Sequence, residues 1–426
     1  MTQFYSTLSA ASNGLVEKPP LTVAFFLEGM SASGVDTSTQ VLADALRRQG
    51  QSIVQFMPWK DRCTDGRKVA SLPALRVSTR QPVYWTYPMS LKLFDRFRRQ
   101  HFDLIHVHTS TTVNLLAWQI SHAFHLPVVH TYHTMSTEYA HYLGRIANSA
   151  SGLVNSIIQR LDKIVCDRAD VVVAPSFKAS DYLKQLGVRP PVHLIPNGID
   201  LNSFHVQPSS FLRHHLGIGD HDTILLCVGR LNQEKRPLTV YEGCCALLAE
   251  RDDLHLVFVG DGALRPQLEQ RIEQDHLRGR VHLAGLLPYE SMPQVFNSAD
   301  IWLSASYSEV HPMVAIEASA CGLPAVVWRD QALDGVVTTG VNGFVVDSQV
   351  EFDAALRDLV SNEPLRDHMG KMATLQASSY RVETTAGRML ELYRSLLAGK
   401  NNAQVLASPR LLPPQIDHSL SIFPRN

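Results

Sequence analysis

The sequence predicts an α/β fold of two doubly wound parallel sheets, each covered by helices on both faces. Short apolar runs alternate with helical patterns, and this rhythm starts twice along the 426-residue chain. Strands buried on both faces appear as continuous apolar runs rather than as alternating patterns. Apolar residues make up 45% of the chain, yet no run approaches the roughly 20 residues of a membrane span.

In the first half, the apolar run 21–27 predicts the first strand, and a helix over about 37–49 follows it. Later strands are expected at 52–56, 104–108, 127–131 and 171–174, and helices at 90–100, 112–125 and 151–169. Alternation of this kind is typical of a doubly wound sheet. We expect an N-terminal domain over residues 21–200, preceded by a disordered lead-in over 1–20 without signal-peptide character.

The pattern then restarts and predicts a second Rossmann-like domain over residues 201–398. Its expected strands are 223–228, 254–259, 281–284, 301–304 and 325–328, with helices at 237–250, 263–275, 290–298 and 313–320. Three further helices are expected at 349–361, 364–377 and 381–398, the last a candidate to cross back to the first domain. Residues 399–426 are expected to form a flexible tail.

Charge is distributed unevenly, although the net charge is only −1. Residues 1–195 contain 20 basic and 13 acidic side chains, a net of +7, and the remainder carries −8. A basic first half predicts an anionic partner for that half alone. Residues 85–100 mix aromatic and basic side chains as an interfacial helix does, so we expect an anionic membrane surface and no nucleic acid. The alternative is a helix that packs on the sheet with its Arg side chains in water.

Ligands of open parallel sheets bind at the carboxyl ends of the strands, so motifs directly after strands indicate function most strongly. Arg230 and Lys235 follow the strand 223–228, and both can reach one diphosphate. Gly229 beside them lets a ligand approach the backbone. A diphosphate leaving group gains charge during transfer, so fixed cations there lower the barrier. Solvated loop cations are the alternative.

Two carboxylates follow the strand 301–304, with Glu309 at the end of a loop and Glu317 on the next helix. A sugar nucleotide presents a ribose and a hexose beside its diphosphate. Because a carboxylate accepts two hydrogen bonds, one of these two glutamates suits the hydroxyls of the hexose and the other those of the ribose. Met313 and Val314 fall at the N-terminus of that helix, where free N–H groups favour a phosphate. An isolated Glu pair is usually a solvated surface feature. The position after a strand favours binding instead.

Three histidines, His130, His133 and His141, cluster after the strand 127–131. No Cys or carboxylate spacing completes a metal site, so no metal and no cofactor are expected. His133, just beyond the strand end, is best placed to touch a substrate. Gly34 follows the first strand in a small-residue turn that can face a diphosphate from the other domain.

These motifs resemble the retaining GT-B-fold glycosyltransferases of the large family that includes bacterial-type sucrose and glycogen synthases and phosphatidylinositol mannosyltransferases. The resemblance runs from about residue 21 to 398. In order, the matching segments are IPNGID (195–200), VGRLNQEKRP (228–237), LVFVGDG (256–262), the Glu309–Glu317 segment with ASACGLP (318–324), and VNGFVVD (341–347). The resemblance implies two facing Rossmann-like domains, an active-site cleft between them, and a nucleotide sugar held mainly by the second.

The first half is similar to bacterial diacylglycerol glucosyltransferases in SGVDTSTQVLADAL (33–46) and PVVHTYHTMSTEYAHYL (127–143). This likeness implies transfer of glucose from UDP-glucose to diacylglycerol, with the anomeric configuration retained and without a metal. It also implies that Arg230 and Lys235 bind the diphosphate, Glu309 contacts the donor sugar, Glu317 contacts the ribose, His133 lies by the transferring sugar and Gly34 lies by the phosphate.

Two loops depart from the family pattern. Phe-Gly usually stand two and three residues after the first Glu, whereas this chain has His311 and Pro312. Since Pro312 cannot donate a backbone hydrogen bond, the phosphate contact must fall on Met313 or Val314. The usual Gly-Gly-x-x-Glu loop reads DQALD at 330–334, which leaves the sugar-side contact and the donor sugar open.

The sequence therefore predicts a cytoplasmic hexosyltransferase, peripheral on the inner face of the plasma membrane, that uses a nucleotide sugar and a lipid acceptor. The same chemistry on a polysaccharide or soluble acceptor is the alternative. A sugar-nucleotide epimerase of the same fold is a second, for which no acid/base pair at the hexose C2 can be nominated. The cations and carboxylates argue against a binding-only relative. The donor base and the oligomeric state stay open.

Overall fold

Two all-parallel sheets dominate the computed structural model, which describes residues 19–28, 34–58, 69–76, 84–87, 89–135 and 151–399. The strands of the first half are β1 Thr22–Phe26, β2 Ser52–Met57, β3 Val69–Ser71, β4 Ala74–Arg76, β5 Tyr84–Thr86, β6 Leu104–Val107, β7 Val128–Thr131, β8 Val171–Ala174 and β9 Val192–Leu194. Seven of them form the first sheet in the order β3-β2-β1-β6-β7-β8-β9, and β4 and β5 form a separate antiparallel pair.

The second sheet has six strands in the described residues. They are β10 Thr223–Val228, β11 Leu254–Val259, β12 Val281–Gly285, β13 Ile301–Ser304, β14 Ala325–Trp328 and β15 Gly343–Val346. Their order is β12-β11-β10-β13-β14-β15, so the chain starts in the middle, moves to one edge and then returns to build the other. The strand order thus reverses beside β10, where open α/β sheets bind their ligands.

Helices connect the strands in both halves. The first half contains α1 Gly34–Arg48, α2 Leu91–Arg99, α3 Thr112–Phe124, α4 Ser151–Cys166 and α5 Phe177–Gln185. The second contains α6 Phe211–Leu216, α7 Pro237–Glu250, α8 Arg265–Gln274, α9 Met292–Asn297, α10 Met313–Ala320, α11 Gln349–Ser361, α12 Glu363–Ala377 and α13 Val382–Leu397. In the described parts of the chain, no helix is both long and apolar enough to cross a bilayer.

The two faces of the first sheet are covered by different sets of helices. Side chains of α2, α3, α4 and α5 form one core with Phe26 and Phe56, which stack at 5.0 Å between ring centroids. On the other face, α1 and α13 pack over β1 and bury Phe25. Because both faces are covered, the strands are apolar on both sides, as the continuous runs in the sequence predict.

Helix α13 returns from the second half of the chain to the first sheet. Its Tyr393 hydroxyl lies 2.6 Å from Nδ1 of the buried His106 on β6. At the crossing, the Ile199 N–H donates to the Tyr380 carbonyl over 2.8 Å, and the Val382 N–H donates to the Ile199 carbonyl over 3.0 Å. The last helix therefore belongs structurally to the first domain.

The fold class predicted from the sequence is confirmed by the two Rossmann-like parallel sheets. Expected strands and helices agree with the observed ones to within about three residues at their ends. Sequence analysis missed the edge strands β3, β9 and β15, the β4–β5 pair, and helices α5 and α6. Several expectations lie outside the described residues: the lead-in up to residue 18, the loop 29–33, His141, and the tail from residue 400.

Replacing Gly198 by Ala is expected to destabilise the contact between the interdomain crossing and α13. A Cβ atom at Gly198 would lie 2.4 Å from Cα of Val382, which is backbone and cannot turn aside. We expect a loss of about 1–3 kcal/mol, the usual cost of overpacking, measured as a lower thermal unfolding midpoint. Gly387→Ala on α13 is the matched control, because its Cβ meets nothing within 4 Å and Ala favours a helix. Equal midpoints for the two variants would contradict this packing argument.

Candidate active site

A cation and a carboxylate meet at the carboxyl edge of the second sheet. Strands β10 and β13 are neighbours in the sheet, so the loops that follow them lie side by side. Lys235 comes after β10 and Glu309 after β13, and Nζ of Lys235 lies 2.5 Å from Oε1 of Glu309. Two of the residues singled out in the sequence are thus in direct contact, although 74 positions separate them.

The local charges keep Glu309 ionised. Burial by itself would raise the pKa of this carboxyl, but the charge and hydrogen bond of Lys235, together with the more distant charge of Lys178, lower the pKa below its ordinary value. The Lys235 ammonium is therefore held by a carboxylate in the unliganded site. A diphosphate that takes the ammonium must compete with this ion pair.

Arg230 and Gly229 lie at the same sheet edge. Nη2 of Arg230 is 3.1 Å from Oε1 of Glu234, which is fully buried, and the Arg230 side chain is about half exposed. Gly229 has φ +151°, and a Cβ atom on it would meet nothing within 4 Å. Open space over this backbone, next to an accessible guanidinium, is what the approach of an anionic ligand needs.

Glu317 has a different environment from Glu309. Its carboxylate accepts a hydrogen bond from the Tyr289 hydroxyl over 2.9 Å. Burial raises the pKa of Glu317 to about 8, and the Tyr289 hydrogen bond only partly opposes that rise. No pattern in the sequence marked Tyr289, which contacts Glu317 from 28 residues away.

Helix α10 begins at Met313, after the loop that carries Glu309, and itself carries Glu317. The Met313 N–H donates to the His311 carbonyl over 2.9 Å, so it is already engaged. In the described residues, the Val314 N–H makes no backbone hydrogen bond. Of the two phosphate contacts that the sequence left open, Val314 is therefore the better placed.

His133 belongs to a group of buried imidazoles at the carboxyl edge of the first sheet. Its Nε2 lies 3.1 Å from Nδ1 of His108. Burial, with smaller effects from His130 and from His311 of the second domain, lowers the pKa of His133 to about 3. His133 is consequently a neutral hydrogen-bonding group near the second domain rather than a cation. Beside it, His108, Thr131, Asn197, Gly198 and Thr385 line a pocket of about 10 Å³, room for one water.

Gly34 is the first residue of α1 and is exposed, with nothing within 4 Å of the place a Cβ would take. The loop before it lies outside the described residues, so the predicted contact between Gly34 and a phosphate stays a prediction. Within the described residues, no group of three or more His, Cys, Asp or Glu side chains could hold a metal ion.

An interdomain contact that the sequence did not reveal borders the site. Lys178, in the first turn of α5, reaches Asp330 in the loop after β14, with Nζ 3.0 Å from Oδ1. Asp330 also accepts the Glu309 N–H over 3.2 Å. Asp330 was visible in the sequence only as a departure in a loop, and nothing marked Lys178, because its partner is 152 positions away.

The basic helix α2 corrects one sequence-based expectation. Phe97 is buried in the core, and the Arg96 guanidinium lies 5.5 Å from the Phe56 ring centroid rather than in open solvent. These two side chains therefore pack on the domain and do not face a membrane. Lys92, Arg98 and Arg99 are the exposed cations of the helix.

Two family profiles match consecutive parts of the chain. Residues 32–203 match Glycosyltransferase Family 4, and residues 209–376 match Glycosyl transferases group 1. The boundary between the matches falls in the segment that connects the two sheets. The residue pairs Lys235–Glu309 and Glu317–Tyr289 all lie within the second match.

Relatives and solved structures extend the likeness over most of the chain. Alpha-monoglucosyldiacylglycerol synthase of Streptococcus pneumoniae is 26% identical over 92% of this chain and 89% of its own length. The Acholeplasma laidlawii synthase of the same name is 24% identical over 88% and 96%. Sucrose-phosphate synthase from Thermosynechococcus elongatus superposes with a TM-score of 0.72 at 23% identity, over 89% of this chain and all of that one. Anabaena HepE in complex with UDP-glucose gives 0.71 at 20% identity, over 88% and 100%.

The raised pKa of Glu317 predicts a pH-dependent stability difference between the wild type and Glu317→Gln. Because the folded-state pKa, about 8, lies above the ordinary carboxyl pKa of 4.5, the folded state binds the extra proton between these values, and stability falls as pH rises. Gln keeps an acceptor for Tyr289 but never ionises. The thermal midpoint of Glu317→Gln minus that of wild type should therefore increase from pH 5 to pH 8. A difference that does not change with pH would contradict the assignment.

Proposed function

Because the chain is a glycosyltransferase of the GT-B fold, we propose that it moves glucose from UDP-glucose to a membrane lipid such as diacylglycerol, with retention of the anomeric configuration. The Lys235–Glu309 contact supports the proposal, since a cation and a carboxylate that suits sugar hydroxyls meet at the edge of the sheet beside the strand-order reversal. Relatives named as monoglucosyldiacylglycerol synthases support the choice of donor sugar and acceptor.

The cations act on the leaving group in this proposal. Departure of the nucleoside diphosphate leaves negative charge on its oxygens, and Arg230 and Lys235 offset that charge without a metal ion. The Val314 N–H at the start of α10 adds a backbone donor. When Lys235 turns to the diphosphate, the Glu309 carboxylate is freed to accept hydroxyls of the transferring glucose.

The remaining groups bind the donor through hydrogen bonds rather than through charge. Glu317 and Tyr289 form a hydrogen-bonded pair that suits the ribose hydroxyls, because a protonated Glu317 both donates and accepts. His133 is neutral, so it contributes a hydrogen bond beside the sugar rather than a charge. In this scheme His133 and Gly34 approach the donor from the first domain.

The surface of the first domain supports a lipid acceptor. On α4 an apolar stripe lies on one helix face, with side chains between 49% and 66% exposed: Leu153, Ile157, Leu161 and Ile164. Helices α2 and α4 cover the same face of the sheet as α3, which contacts α2 through Phe94–Phe124. An apolar stripe near exposed cations suits an anionic bilayer surface.

A donor-hydrolysis and transfer screen tests the proposal. Purified protein is incubated with UDP-, GDP- and ADP-sugars, each with diacylglycerol-containing vesicles, with soluble sugars or without acceptor. We expect turnover of UDP-glucose that increases with the vesicles and yields an α-glucosyl lipid. Transfer only to soluble sugars would replace the lipid acceptor by a soluble one, and C2 epimerisation of the donor would overturn transfer.

Arg230→Ala and Lys235→Ala should each lower turnover by orders of magnitude with little change in thermal stability. Loss of a charge-stabilising group costs about 2–4 kcal/mol of transition-state stabilisation. Initial rates with excess chelator measure this, because wild-type activity should persist there. Arg271→Ala on the exposed face of α8 is the control. Near-normal turnover in either variant, or metal-dependent wild-type turnover, would contradict the leaving-group assignment.

Binding to anionic vesicles should depend on the exposed side chains of α2 and α4, which cover the same face of the first sheet. Each cation near such a surface contributes about 1 kcal/mol, screened within a Debye length. Changing Lys92, Arg98 and Arg99 to Gln should therefore weaken binding at low salt in a sedimentation assay. Changing Leu153, Ile157 and Leu161 to Ser should remove the binding that survives moderate salt.

The matched control for the vesicle assay changes three exposed cations of the second domain to Gln: Arg271, Arg278 and Lys371. This variant should bind as the wild type does. A wild type that ignores anionic vesicles at low salt would exclude the peripheral membrane location. Equal losses in the control and in the α2 variant would assign binding to net charge rather than to this face.

A further inference from the structure

A lysine of the first domain is held against two loops of the donor site in the second domain. Nζ of Lys178 lies 3.0 Å from Oδ1 and 3.1 Å from Oδ2 of Asp330, and 3.3 Å from the Tyr307 carbonyl oxygen. Tyr307 precedes Glu309 in the loop after β13, and Asp330 lies in the loop after β14. One ammonium therefore bridges both loops from across the cleft.

Asp330 links Lys178 to the backbone of Glu309. Its Oδ2 accepts the Glu309 N–H over 3.2 Å, and its Oδ1 accepts the Ala332 N–H over 2.9 Å. The Asp330 side chain is 2% exposed and that of Lys178 is 13% exposed. Charge-assisted hydrogen bonds at this burial are far stronger than a surface ion pair and fix the positions of the groups they join.

Two cations and two carboxylates alternate at the site, and one of the cations belongs to the first domain. Lys235 faces the Glu309 carboxylate, and Lys178 faces Asp330, which holds the Glu309 backbone. When a donor diphosphate takes Lys235 away, the buried Asp330 carboxylate and the partly exposed Glu309 carboxylate stay behind, with Lys178 as a nearby cation. The charge of Lys178 already acts on Glu309 in the unliganded site.

We propose that Lys178 is a positioning residue for transfer: through Asp330 and the Tyr307 carbonyl, it fixes the Glu309 loop while Lys235 neutralises the leaving group. This inference rests on the proposed function and adds to it a requirement for the first domain. Since Lys178 is on α5, this support of the Glu309 loop comes from the first domain and requires contact between the two domains.

The test compares four variants by steady-state kinetics, pH–rate profiles and thermal unfolding. Lys178→Met removes the charge and keeps the length of the side chain, whereas Lys178→Arg keeps the charge. Lys184→Met is the matched control, because Lys184 lies on the same helix and forms only an exposed ion pair with Asp181. Lys178→Met combined with Asp330→Asn leaves no unpaired buried charge.

We expect Lys178→Met to lower kcat by about tenfold or more, with donor KM within about threefold, since the lost support acts in the transition state. Removing the Lys178 charge raises the pKa of Glu309, so the acid limb of the pH–rate profile should move to higher pH. Lys178→Arg should retain most activity, and Lys184→Met should behave as wild type. The double variant should recover thermal stability but not kcat.

Two results would overturn the inference while leaving the proposed function intact. One is a Lys178→Met enzyme with normal kcat and an unmoved acid limb. The other is a double variant that recovers kcat together with stability, which would make the contact purely structural. A wild type that turns over no nucleotide sugar overturns the proposed function itself and this inference with it.

Discussion

Parallel pairing is the constraint on which the site depends, because it brings the carboxyl ends of all strands in a sheet to one edge. Residues 74 and 152 positions apart in sequence therefore become neighbours in space, as Lys235 does with Glu309 and Lys178 with Asp330. Parallel strands also need crossover helices on both faces, so the sheets are covered and only their edges remain for chemistry. The cleft between the two edges is a consequence of this geometry rather than of a particular loop.

Two glutamates eight positions apart show how neighbours decide what a buried carboxyl does. Burial disfavours the ionised form of both Glu309 and Glu317. Glu309 has an ammonium in contact and keeps its charge, whereas Glu317 has only the Tyr289 hydroxyl, so its pKa is raised. The carboxyl edge of one sheet thus carries two chemically distinct carboxyl groups, Glu317 on a helix and Glu309 in a loop.

The fold was largely predictable because a strand that is buried on both faces of a sheet appears in the sequence as a short apolar run. Arg230, Lys235, Glu309 and Glu317 could be singled out because they lie in the loops, or on the helix, that follow such runs. Contacts between residues distant in sequence could not be predicted. No local pattern shows that Lys178 contacts Asp330 or that Tyr289 contacts Glu317. The sequence left two alternatives for helix α2 for the same reason, since only the folded domain places Arg96 over the Phe56 ring and Phe97 in the core. The periodicity of a sequence shows which residues share one face of a helix, but tertiary packing decides whether that face is exposed to solvent.

The return of α13 to the first sheet makes the first domain discontinuous in the chain. Strand β1 is formed from residues near the beginning, yet the helix that covers it with α1 starts only at Val382. During synthesis on the ribosome, residues leave in order, so one apolar face of the first sheet has to wait until the entire second domain has emerged. Exposed apolar surface of this kind binds chaperones or other nascent chains before it finds its own partner. The sixteen residues of α13 therefore set the moment at which this face of the first sheet can be covered.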